Sequence, residues 1–130
     1  MRLAKEELMR LGDTIEPTPE QVKRALELLH QPAALSGSAL LGTMNLSMDI
    51  DAAKLHDVLE DTIRELSRGS AGEEVEAARV LLDCYVNRVG SHEVVAERLH
   101  LSRRTFYRRL DRGLLTLAQR LGQLRVPAAI

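Results

Sequence analysis

The chain has 130 residues, 45% of them hydrophobic, with 18 Lys and Arg against 19 Asp and Glu. That length suits one helical domain, or a small domain with an arm. No apolar run reaches the ~18 residues of a membrane span, and the start, MRLAKEELMR, carries charge where a signal peptide needs an apolar stretch. The expected location is therefore cytoplasmic. A lone cysteine, Cys84, excludes an intramolecular disulfide and a cysteine-based zinc site, and reads as a small buried hydrophobe.

In chain order, residues 3–11 form a candidate short helix with Leu3, Leu8 and Leu11 as its apolar side. Thr18-Pro19-Glu20-Gln21 is a helix start, with an N-cap, a proline at the first helical position and a capping-box glutamine. This helix is predicted to reach Leu29 and to bury Val22, Ala25, Leu26 and Leu29. Residues 30–50 resist assignment, because Pro32, Gly37 and Gly42 interrupt any long helix. Asp49 or Asp51 is expected to cap a helix running to Arg68, with Leu55, Val58, Leu59, Thr62, Ile63 and Leu66 on one face and Gly69 as its C-cap.

A helix over 73–88, ending at Gly90, carries a broad apolar set (Val75, Ala78, Val80, Leu81, Leu82, Tyr85, Val86) and is expected to be central. Glu60-Asp61 and Glu73-Glu74 read as solvated faces or first-turn charges.

Residues 92–112, HEVVAERLHLSRRTFYRRLDR, are the most informative stretch. Val94, Val95, Ala96 and Leu99 are the expected apolar face of a short helix, and Leu101 lies in the turn after it. Ser102 is an N-cap candidate for a second helix, from which Phe106 and Leu110 point inward. Leu114, Leu117 and Leu121 continue that stripe past Gly113. Around it lie Arg103, Arg104, Arg108, Arg109 and Arg112.

Charge follows the same division. Residues 91–125 hold eight arginines against Glu93, Glu97 and Asp111, a net of +5, which leaves −6 on the remainder of a chain whose total is −1. A basic C-terminal third on an acidic body predicts one face for a polyanion. Arginine is also the side chain that reads guanine O6 and N7 through two parallel hydrogen bonds.

The stretch VVAERLHLSRRTFYRRLDRGLLTLAQRL resembles bacterial helix-turn-helix domains: Fis-type domains in LSRRTFYRRL, and sigma-factor region 4 and LuxR-type tails over the longer pattern. The likeness covers about the last 55 residues. His100 departs from it, since that turn position commonly holds glycine and often needs a positive φ. LLHQPAALSGSALL is similar to a segment preceding such units in some large bacterial regulators.

The resemblance implies that Arg103, Arg104, Tyr107 and Arg108 face bases. It also implies that Ser102, Thr105, Arg109 and Arg112 touch phosphate, with Ser91 and His92 adding a backbone contact. Tyr107 is alternatively expected to pack against the body of the protein.

These readings combine into an all-α bundle of five to seven helices with a C-terminal helix-turn-helix. Residues 1–70 form a dimerisation or regulatory region, and residues 71–125 bind DNA. The expected function is sequence-specific double-stranded DNA binding by a homodimeric bacterial transcriptional regulator. The leucine stripe 110–121 or the acidic N-terminal helices would join the two copies. Two alternatives are a protein-interaction module docking on RNA polymerase or a parent regulator, and a nonspecific architectural DNA binder. No catalytic grouping, cofactor motif or metal spacing among His30, His56, His92 and His100 stands out, so neither enzyme chemistry nor a cofactor is expected.

Overall fold

The computed structural model describes residues 17–46, 48–69 and 72–124. The helix expected over 3–11 and the tail from 125 lie outside them. The described residues form seven α-helices and no strand: α1 (Pro19–Glu27), α2 (Pro32–Ser36), α3 (Ala39–Met44), α4 (Ala52–Ser67), α5 (Glu73–Leu81), α6 (His92–Arg98) and α7 (Arg103–Gly122). A π-helical turn, Leu82–Val86, follows α5 directly.

Local signals set most of the boundaries. The capping box of α1 is complete, with the Gln21 N–H donating to Thr18 Oγ1 at 3.1 Å and the Thr18 N–H donating to Gln21 Oε1 at 3.3 Å. The helix closes at Glu27, two residues before the expected end, yet Leu29 is still buried. The difficult stretch 30–50 resolves into two very short helices. Pro32 opens α2, and Ser38 caps α3 by accepting from the Leu41 N–H at 3.3 Å. Helices of five and six residues are too short for an apolar period to show in sequence.

Asp51, rather than Asp49, caps α4, accepting from the Lys54 N–H at 2.9 Å. Arg68, not Gly69, is the C-cap. Gly69 serves a different purpose: a Cβ there would lie 2.6 Å from Val75 Cγ2, so its lack of a side chain lets the end of α4 approach α5.

The helix expected over 73–88 is not uniform. After Leu81 the backbone widens by one residue per turn, and the Asn87 N–H reaches the Leu82 carbonyl at 2.8 Å. The segment ends at Val86 with Asn87 as its C-cap, and Arg88, with a φ of 51°, turns the chain away before Gly90.

One apolar core runs through the described helices, with Leu26, Leu35, Leu40, Leu55, Leu59, Ile63, Leu81, Phe106, Leu117 and Leu121 among its buried side chains. Each is worth ~1.5–3 kcal/mol relative to exposure. Helix α7 lies against α5 and α1. At Gly113 a Cβ would stand 3.0 Å from both the Ala77 carbonyl oxygen and Leu81 Cγ, so α5 and α7 meet almost backbone to backbone.

This packing corrects one expectation. Leu110, Leu114, Leu117 and Leu121 are between 0% and 5% exposed within the single chain. A stripe already covered by α1 and α5 is not free to join two copies.

Candidate nucleic-acid interface

Helices α6 and α7 are joined by a four-residue turn whose geometry is set by backbone hydrogen bonds. Ser91 caps α6, its Oγ accepting from the Val94 N–H at 3.3 Å. At the other end, the His100 N–H donates to Glu97 O at 3.1 Å and the Leu101 N–H donates to Ala96 O at 2.8 Å. This is a Schellman closure, which places its C′ residue in the left-handed region. That residue is His100, with a φ of 59°. The positive φ expected at this position is present although no glycine provides it.

Helix α6 buries Val95 and Ala96. Val94, expected in the apolar face, is instead 44% exposed. It lines a surface groove of about 570 Å³ between α6 and the start of α7, together with His92, Glu93, Glu97, Arg103 and Tyr107. Arg98 reaches away from the groove, its Nε lying 3.3 Å from Oδ2 of Asp83. Asp83 is buried, and it also accepts from Asn87 Nδ2 at 3.3 Å. The ion pair therefore ties α6 to the π turn.

Helix α7 begins at Ser102, whose Oγ accepts from the Thr105 N–H at 3.2 Å. The Ser102 hydroxyl also donates to Thr105 Oγ1 at 3.0 Å, so both hydroxyls expected at phosphate already engage each other. The N–H groups of Arg103 and Arg104, in the first turn, have no intrahelical acceptor and point toward the helix N-terminus.

Helical spacing divides the remaining side chains. Arg104 and Arg108 lie opposite the Phe106–Leu110 stripe, and both are exposed. Arg103, also exposed, stands at the groove beside α6. Among the described residues these three arginines form no ion pair. Tyr107 is 39% exposed and held by its neighbours. Its ring meets Phe106 edge-on at 5.1 Å and His92 at 5.7 Å, and its hydroxyl lies 3.3 Å from His92 Nδ1. Both readings of Tyr107 thus have a physical counterpart, a packed ring with an accessible edge.

Arg109 and Arg112 differ from the other three. Arg109 Nε donates to Glu76 Oε1 at 2.7 Å, and its Nη1 lies 3.7 Å from Glu73 Oε2. Its side chain is only 15% exposed. Arg112 Nη2 lies 3.7 Å from Glu74 Oε2. The five arginines, grouped together in the sequence, separate into three that are open and two that face the acidic first turn of α5. Glu73, Glu74 and Glu76 are visible in the sequence, but their pairing across more than 30 positions arises only when α5 and α7 pack.

Elsewhere, burial raises the Cys84 thiol from 9.0 to about 12, with the neighbouring Asp83 carboxylate adding to the effect. A thiol so disposed to stay protonated is a poor nucleophile. Tyr85 is likewise raised to about 12, chiefly by burial. Among the described residues no three His, Cys, Asp or Glu side chains gather as a metal site, and no helix is long and apolar enough to cross a membrane. No family model, curated protein or solved structure matches this chain.

Proposed function

We propose that α6 and α7 act as a helix-turn-helix that binds double-stranded DNA in a sequence-dependent manner, as the output of a homodimeric bacterial transcriptional regulator working in the cytoplasm. The observation that carries this reading is the placement of Arg103, Arg104 and Arg108. They stand exposed and without carboxylate partners among the described residues, on the first two turns of a helix rooted in the core. A guanidinium at that distance from the core can reach the floor of a major groove. The capped N-terminus of α7 adds two free N–H groups and the positive end of the helix dipole, both suited to phosphate. In this reading Arg104 and Arg108 contact base edges, Arg103 and Tyr107 flank them, and Ser102 and Thr105 fix the start of the helix. One such unit reads only a few base pairs, so two copies spaced about one DNA turn apart are needed for tight specific binding. With the leucine stripe buried, this reading places their contact in the N-terminal region.

Selection from a randomised duplex pool, followed by sequencing, tests the reading. A two-fold symmetric motif enriched by the protein, and lost in Arg104→Ala/Arg108→Ala, is the expected result. Binding without enrichment means an architectural role. A second reading, docking on RNA polymerase or a parent regulator, draws on the groove at Val94 and Tyr107, whose apolar surface a phosphate backbone would not use. Absence of duplex binding at about 100 mM salt would favour it.

A further inference from the structure

The acidic first turn of α5 faces the middle of α7. Glu73, Glu74 and Glu76 occupy it, and all three pair with arginines of α7. The pairs advance together along the two helices: Glu73 and Glu76 meet Arg109, Glu74 meets Arg112, and one step further Gly113 sits against Ala77. The glycine contact fixes the separation of the helices, so the first turn of α5 is held within reach of the guanidinium groups.

We propose that Glu73, Glu74 and Glu76 are specificity-determining residues for the DNA contact, an inference that rests on the function proposed above. They occupy Arg109 and Arg112 and so hold the number of α7 arginines open to phosphate at three. The two pairings differ in strength. Arg109, enclosed and bonded at 2.7 Å, exchanges its carboxylate for a phosphate least readily. Arg112, half exposed with its carboxylate at 3.7 Å, exchanges more easily.

The physical consequence concerns the ratio of specific to nonspecific binding. Phosphate contacts raise affinity for every sequence equally, whereas base contacts raise it only for the right one. Neutralising two phosphate-seeking arginines internally therefore lowers the nonspecific background and leaves Arg104 and Arg108 to discriminate. First-turn carboxylates additionally favour the α5 dipole, so the test needs a readout that a purely structural role would not move.

That readout is the salt dependence of binding to a mixed-sequence duplex of about 20 base pairs, followed by fluorescence anisotropy between about 50 and 300 mM salt. Glu73→Gln/Glu74→Gln/Glu76→Gln is compared with wild type and with Glu20→Gln/Asp49→Asn/Asp61→Asn. The latter removes the same charge from exposed positions that make no ion pair with α7. The expected result is a slope of log affinity against log salt steeper than the control's by about 1.8, or about 0.9 for each arginine recovered by phosphate. Mixed-sequence affinity at about 100 mM salt is expected to exceed the control's at least tenfold. If the triple variant melts early by circular dichroism, Glu73→Gln/Glu76→Gln, which removes both carboxylates from Arg109, is used, and about half the slope change is expected. A slope equal to the control's overturns the proposal. So does Arg109→Ala lowering the slope of the otherwise wild-type protein by about 0.9, because Arg109 would then touch phosphate despite Glu76. In both cases wild-type DNA binding, and with it the helix-turn-helix reading, stands. If wild type itself binds no duplex at about 50 mM salt, the functional reading fails and this inference falls with it.

Discussion

Residues 103–108 of α7 carry three open arginines and a half-exposed tyrosine, whereas residues 110–121 contribute Leu110, Leu114, Leu117 and Leu121, none more than 5% exposed. In its first two turns the helix buries only Phe106, whereas its later turns bury four leucines together with Gly113 and Ala118. Apolar burial against α1 and α5 fixes the C-terminal part, and the continuous hydrogen-bond ladder carries that rigidity to the N-terminal part. In the proposed function, a face built this way needs no ordering when it meets DNA, which reduces the entropy lost on association. Arg109 and Arg112 mark the boundary, chemically like the first group and structurally part of the second.

Substitutions in the two parts should fail in different assays. Leu117→Ala removes a fully buried side chain and is expected to lower unfolding free energy by about 3 kcal/mol in chemical denaturation. A loss under 1 kcal/mol would mean that the C-terminal part of α7 is not rooted as described.

The anchoring was more legible in the sequence than the division among the arginines. The caps at Thr18 and Ser102 are single-residue signals acting over three positions and stand where they were expected, and Asp51 is one of the two carboxylates expected to cap α4. The stripe from Phe106 to Leu121 is a long periodic signal and proved equally readable. The pairing of Glu73, Glu74 and Glu76 with Arg109 and Arg112 depends on how two distant helices pack, and no local pattern encodes it. The π turn at 82–86 was hidden for another reason: its residues keep an ordinary helical pattern, and the widening shows only in the backbone bonds. Of the two seams expected for a dimer, the stripe 110–121 was misread because an apolar stripe does not tell whether its cover comes from the same chain or from a second one.

A smaller change refines the turn that aims α7. His100 holds a φ of 59°, a conformation that glycine adopts without a steric penalty. His100→Gly is expected to raise stability by about 0.5–1 kcal/mol, read from the denaturation midpoint, with DNA affinity unchanged. A loss of stability would show that the imidazole makes a contact outweighing the backbone strain.

Comparing two double variants on one selected duplex tests the division of α7 most directly. Arg104→Ala/Arg108→Ala should weaken binding about a hundredfold, or about 2.7 kcal/mol, while shifting unfolding free energy by no more than about 0.5 kcal/mol. Arg109→Ala/Arg112→Ala should leave affinity within about threefold and lower stability, because three carboxylates of α5 lose their partners. Equal losses of affinity in the two variants would contradict the account, since all five arginines would then form one undivided surface.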